Sequence, residues 1–215
     1  MKIKPMLLIT LLFLAPIGLV SAEVPDDAWQ VSPLLPGQAA PAFNAPSATG
    51  GDFDFDPSNL EKPMVLIFYR GGWCPFCNLH FAELRKAEQP LIDLGFDISF
   101  ISMDTAELMA EAVEGDDSPD YRLLSDSAAD ISKAFGVAFR VPDETVTLYK
   151  DKMGIDLEKS AGGNTHHILP VPSVFIVGRD GIVKFSYANP DYKVRLHPDV
   201  LVSAATHMPE YRITR

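Results

Sequence analysis

The chain has 215 residues, a net charge of −11 and a pI near 4.8. That length suffices for one domain with a full core, and an apolar content of 47% excludes disorder as the default. The acidity argues against nucleic acid and anionic lipid as partners, since both need a basic patch; its plain meaning is solubility.

Lys2 and Lys4 form a short basic start, Met6 to Val20 is apolar but broken by Pro16 and Gly18, and Val20-Ser21-Ala22 resembles a cleavage site. The run is too short and interrupted for a comfortable membrane span, and no cysteine follows it to carry a lipid. Residues 1–22 read as a signal peptide cut after Ala22. The mature protein is then periplasmic or secreted, with no membrane anchor after cleavage; an uncleaved anchor is the alternative. Residues 23–35, with Pro25 and Pro33, read as an extended lead-in, 36–206 as the folded domain and 207–215 as a tail. In LPGQAAPAFNAPSATGGDFDF, Phe43 anchors a short strand and Gly50-Gly51 marks a turn. Phe53 and Phe55 alternate with Asp52, Asp54 and Asp56 as in an edge strand, giving an N-terminal β-hairpin.

Met64 to His80, MVLIFYRGGWCPFCNLH, organises the rest. A β-rich apolar run meets Gly71-Gly72, then Trp73, then Cys74-Pro75-Phe76-Cys77, then a helical pattern. Cys74 and Cys77 are the only cysteines, and a C-x-x-C pair between strand and helix is the setting of a thiol redox site. At a helix N-terminus, unpaired backbone N–H groups and the positive end of the dipole favour thiolate, the nucleophilic form. Pro75 suits the first turn, where its missing N–H costs nothing. Cys74 is expected to be the exposed attacker and Cys77 the more buried resolver. An inert staple is a weaker reading, because so short a loop removes little chain entropy. A metal site is the other alternative: C-x-x-C followed by His80, with His166 or His167, would supply four ligands.

A helix is expected from Pro75 to Leu94, with Leu79, Ala82, Leu84, Ala87, Leu91 and Leu94 buried and a kink at Pro90. Residues 97–103 read as an inner strand. Thr105 to Val113 is a helix capped by Thr105, and Glu114 to Asp120 an acidic loop. Tyr121 to Asp126 is a short strand ending in a cap, Ala128 to Phe135 a helix, and Gly136 its stop. Residues 137–165 read as a long, partly irregular excursion in which Val146, Leu148 and Tyr149 hint at structure. Val174 to Val177 and Ile182 to Tyr187 flank an Arg179-Asp180-Gly181 turn, and Pro198 to Thr206 is a last helix. The order predicts an α/β fold with a central mixed β-sheet flanked by helices on both faces.

Four segments together resemble a known family: PGQAAPAF, VLIFYRGGWCPFC, YRLLSDSAADISKAFGV and VPSVFIVGRDGIVKF, spanning Pro36 to Ala205. The chain resembles the alkyl hydroperoxide reductase / thiol-specific antioxidant (AhpC/TSA) branch of the thioredoxin superfamily, and most of all its peroxiredoxin-like members with an FYRGGWCPFC signature. The resemblance implies a thioredoxin-like fold and an antioxidant thiol oxidoreductase. Its substrate would be a peroxide or a protein disulfide, its reductant a thioredoxin-like partner, and it would need no cofactor and no metal. It also implies that Pro172 is a cis-proline facing the cysteines; an ordinary trans proline at a strand start is the alternative. The chain departs from the family in one respect. Peroxiredoxins place Pro and Thr or Ser seven and three residues before the peroxide-attacking cysteine. Counting back gives Ile67 and Gly71 from Cys74, or Arg70 and Cys74 from Cys77. The arginine such enzymes use from a later strand is replaced by Val171-Pro172-Ser173.

Other residues support the pair. Arg70 is placed to stabilise a thiolate by charge, or else to pair with Asp104 or Glu83. Trp73 is expected to shield the cysteines, with plain core packing as the alternative. Glu83 is one candidate proton acceptor for Cys77. His166 and His167 are candidates for a proton relay, against a plainer reading as solvated loop residues. Oligomeric state is not legible.

Overall fold

The computed structural model describes residues 23–112 and 120–207. The expected signal peptide, nearly all of the acidic loop and residues 208–215 of the tail lie outside the described residues. Phe43–Pro46 (β1) and Asp52–Phe55 (β2) pair antiparallel as a hairpin. Met64–Phe68 (β3), Asp97–Ser102 (β4) and Tyr121–Ser125 (β5) follow, then Ala138–Arg140 (β6), Ile168–Pro170 (β7), Ser173–Val177 (β8) and Val183–Ala188 (β9). The central sheet has the order β5-β4-β3-β8-β9, with β3, β4 and β5 parallel and β8 and β9 antiparallel to their neighbours. β6 and β7 form a separate two-stranded ribbon.

The five residues of β3 are all buried because the sheet is covered on both faces. Val65 and Ile67 turn to a core closed by Leu84, Leu91, Leu201 and Ala204. Met64, Leu66 and Phe68 turn to the opposite core, closed by Ala45, Phe55, Ile131 and Phe135. At roughly 2 kcal/mol per fully buried side chain, β3 gains enough to offset the entropy of ordering it.

The helix expected over 75–94 is broken. Pro75–Leu84 (α1) passes through a 3₁₀ turn at Arg85–Ala87 into Glu88–Asp93 (α2). In a continuous helix the Pro90 ring would meet the Lys86 carbonyl, so the backbone tightens one turn before the proline. The buried face also differs: Cys77, Leu84, Ala87 and Leu91 point inward, while Leu79 is 68% and Leu94 43% exposed. Cys77 sets the inward side, and Leu79, two residues on, lies about 200° around the helix from it.

Thr105 Oγ1 accepts from the Leu108 amide and caps Ala106–Ala112 (α3). The Asp126 carboxylate accepts from the Ile131 and Ser132 amides at 2.9 and 2.8 Å and caps Asp130–Ala134 (α4). The excursion after Gly136 is more regular than the sequence suggests. It contains β6, the helices Asp143–Met153 (α5) and Leu157–Ser160 (α6), and then β7. Pro198–His207 (α7) closes the fold.

Candidate active site

β3 delivers the chain to the edge of the core at Tyr69, whose amide still bonds the Ile101 carbonyl of β4 at 3.0 Å. Beyond it the Gly71-Gly72 loop is pinned from two sides. The Gly72 amide donates to Asp104 Oδ2 at 2.6 Å, and the Gly72 carbonyl accepts from Asn78 of α1 at 2.8 Å. Gly71 has φ +150°, and a Cβ there would collide with the Trp73 indole and the Asp104 carboxylate. Asp104 is buried and also accepts from the Ser102 and Ser160 hydroxyls. Burial raises its pKa against those three hydrogen bonds.

This loop sets Cys74 as the N-cap of α1 and Pro75 as its first residue. The first helical turn then carries Cys77 back over Cys74, with the Cys77 amide on the Cys74 carbonyl at 2.9 Å. Both cysteines are free thiols, and each is only 2% exposed. Cys74 is therefore not the exposed member of the pair. Its thiol turns inward to hydrogen-bond Cys77. That bond, and then burial, hold the Cys74 pKa up. The same bond brings Cys77 down to about 6 against its burial, helped by the Arg195 guanidinium. The two directions are opposite, and the Arg195 guanidinium favours the thiolate on Cys77.

Arg195 lies in the loop between β9 and α7 and was not singled out by sequence reasoning. Its Nε donates to the Tyr192 carbonyl at 2.6 Å, and its Nη2 reaches Cys77 Sγ at 3.4 Å. It borders a cleft of about 290 Å³ with Phe76, His80, Leu196 and Pro198. His80 donates from Nε2 to the Leu196 carbonyl at 3.0 Å, tying this loop to α1. Burial lowers its pKa, so the ring is neutral at pH 7.

Arg70 is 4% exposed and pairs with neither Asp104 nor Glu83. Its Nη2 donates to the Tyr149 hydroxyl at 2.5 Å, and its guanidinium lies 4.4–5.5 Å from the ring centroids of Tyr192, Trp73 and Tyr149. Its charge favours a thiolate at Cys74. Trp73 packs with Tyr149 and with the small core beneath β6 and β7. Tyr149 was only a hint of structure in the sequence; its three-residue spacing from Val146 on a helix was the available signal. Glu83 is instead bonded to Lys86 at 2.6 Å on the surface.

Pro172 does stand near the site, lining a cavity of about 200 Å³ with Arg70, Tyr149 and Tyr192. The expected cis bond is not there: no peptide bond among the described residues is cis. Trans proline suits this strand start, because the residue has no N–H to place while its carbonyl accepts from the Asn189 amide at 3.1 Å. His166 has both ring nitrogens engaged by backbone, Nε2 by the Ser127 carbonyl at 2.8 Å and Nδ1 by the Ile168 amide at 2.9 Å. His167 Nε2 meets Glu158 at 3.0 Å. The structure brings neither histidine into hydrogen-bond contact with a sulfur. Among the described residues no group of three or more His, Cys, Asp or Glu side chains is arranged to hold a metal ion, so the metal-binding alternative finds no ligand set.

Comparison with known proteins agrees with this architecture. The family model of the AhpC/TSA family matches residues 36–186. The peroxidoxin BcpB of Mycobacterium tuberculosis superposes with a TM-score of 0.58 at 20% identity, over 80% of this chain and 96% of that one. AhpC of Enterococcus faecalis gives 0.60 at 16% identity, over 80% and 90%. A peroxiredoxin-like protein of Aquifex aeolicus gives 0.60 at 18% identity, over 81% and 88%. No curated protein sequence matches the chain.

Proposed function

The chain belongs to the AhpC/TSA family, and on that premise we propose that it is an exported thiol peroxidase in which Cys74 and Cys77 carry electrons from a thioredoxin-like dithiol to a hydroperoxide. The observation that carries this reading is the buried pair of free thiols at the start of α1, with the Arg195 guanidinium 3.4 Å from Cys77 Sγ, where a positive charge favours the nucleophilic thiolate. A thiolate attacks one peroxide oxygen, the O–O bond breaks, and the sulfur becomes a sulfenic acid while the departing alkoxide takes a proton. The second sulfur then displaces hydroxide from the sulfenic acid, closing the Cys74–Cys77 disulfide and releasing water. An external dithiol restores both thiols by exchange.

Burial favours peroxide over protein disulfide as the oxidant. Hydrogen peroxide is small enough to reach a sulfur that is 2% exposed with the site closed; exchange with a protein disulfide, like the later exchange with the reductant, needs a sulfur brought to the surface. Export is supported by the basic start, the interrupted apolar run and Val20-Ser21-Ala22.

The test is a single-turnover oxidation of the reduced protein, followed by Trp73 fluorescence. Hydrogen peroxide and a protein disulfide are offered separately to wild type and to the Cys74→Ser, Cys77→Ser double variant. Fast oxidation by peroxide, lost in the double variant, is expected. Slow oxidation by peroxide with fast disulfide exchange would make the protein a disulfide oxidoreductase in a peroxiredoxin body.

A further inference from the structure

The surroundings of the two sulfurs differ. Cys77 Sγ receives Nη2 of Arg195 at 3.4 Å, and the Cys74 thiol turns toward it. The guanidinium donor therefore lies on Cys77, the residue expected from its sequence position to resolve. Arg195 is not free to move away, because its Nε is fixed to the Tyr192 carbonyl. Its Nη1 is buried and has no hydrogen-bond partner among the described residues. A buried donor left unpaired is costly, and this one belongs to the guanidinium that already touches the sulfur. A peroxide oxygen beside Sγ would satisfy it. Arg195 also borders the cleft that it shares with Phe76 and His80.

We propose that Cys77 is the sulfur that attacks the hydroperoxide, that Arg195 holds both this sulfur and the peroxide, and that Cys74 is the proton donor and resolving thiol. The proposal rests on the peroxidase reading above and reverses the order expected from the position of Cys74 at the helix start. A lone pair of the Cys77 thiolate forms the S–O bond as the O–O bond breaks, and Cys77 is oxidised to sulfenic acid. The alkoxide leaves with the proton of the Cys74 thiol, through the hydrogen bond that joins the pair. The Cys74 thiolate so formed attacks Cys77; the S–S bond forms, the S–O bond breaks, and hydroxide leaves to solvent. Arg195 thereby fills the role for which Val171-Pro172-Ser173 offers no cation.

The test maps the sulfenic acid. Reduced wild type, Cys74→Ser and Cys77→Ser are each mixed with hydrogen peroxide in the presence of dimedone, which traps sulfenic acid, and the adduct is located by mass spectrometry. Cys74→Ser should undergo one fast oxidation, carry the adduct on Cys77 and lose turnover. Cys77→Ser should lose the fast phase. A fast phase in Cys77→Ser with the adduct on Cys74 would overturn the assignment. Absence of fast oxidation in wild type would instead refute the peroxidase reading itself. Arg195→Met should slow the single oxidation by about a hundredfold and move the pH midpoint of its rate upward, with Arg195→Lys recovering part of both. A rate loss with an unmoved midpoint would reduce Arg195 to a structural role and overturn its part. If Arg195→Met does not fold, Arg195→Gln carries the same comparison.

Discussion

Arg70 is a buried cation with no carboxylate partner among the described residues, so replacing it with methionine should stabilise the oxidised protein. The magnitude follows from its contacts. Taking a guanidinium out of water costs several kcal/mol even after relaxation, and its buried Nε, which has no partner, adds about 1–3 kcal/mol. Against this stand the hydrogen bond to Tyr149, worth about 1.5–3 kcal/mol for a charged donor, and three ring contacts at roughly 0.5–2 kcal/mol each. The two sides are of similar size, and replacing a buried charge by an apolar side chain of similar volume is neutral to stabilising, so Arg70→Met should be about 0–2 kcal/mol more stable when Cys74 and Cys77 form a disulfide. In the reduced protein any thiolate character in the pair adds negative charge near this cation, so the gain should shrink or reverse. Urea unfolding of both redox forms, at a pH where the thiolate is present, measures the difference. Oxidised Arg70→Met that is less stable than wild type would refute the reasoning, since the cation would then be fully compensated without a thiolate.

Two further predictions concern pH and the glycine loop. Cys77 is lowered from 9.0 to about 6, so the unfolded chain binds more protons in that window; its contribution to the reduced protein rises with pH from about 6 to 9 and is lost as pH falls through 6. Asp126 is raised by burial from 3.8 to about 6, so its contribution has the opposite sign and falls as pH rises from about 4 to 6. Thermal melts across pH should show the alkaline rise disappear in Cys77→Ser and on oxidation, and the acid fall flatten in Asp126→Asn; a rise that persists in Cys77→Ser would assign the thiolate elsewhere. Gly71→Ala should lower stability by about 2 kcal/mol or more and slow peroxide oxidation, because the new methyl displaces Trp73 or Asp104. Wild-type melting and rate in that variant would mean the loop has another conformation available.

Much of this site was legible because its signals are local. The apolar run of β3, the Gly71-Gly72 break and the C-x-x-C spacing lie within one short stretch, and the Phe43 hairpin announces itself by alternation and a Gly-Gly turn. Arg195 and Tyr149 were illegible for the opposite reason. Their bonds to Cys77 and Arg70 join residues 118 and 79 positions apart, and nothing near either residue in sequence marks it as part of a site. Leu79 misled because apolarity was read as burial, whereas the inward direction of α1 is set by Cys77. His166 and His167 attracted attention as titratable groups near Pro172, yet ribbon and loop backbone occupy the ring nitrogens of His166.

The excursion between β6 and β7 bears on how this protein can be re-engineered. It meets the loop before Cys74 twice: Tyr149 receives Arg70, and Ser160 donates to the carboxylate whose other oxygen holds Gly72. The Ser160 carbonyl also accepts from the Thr105 amide, one residue from that carboxylate. Residues 143–163 therefore cannot be trimmed as a surface insertion or exchanged alone in a chimera. Arg70, Gly72 and Asp104 travel with them as one cassette, and a graft that moves either half without the other leaves a buried cation and a buried carboxylate without their hydroxyl partners.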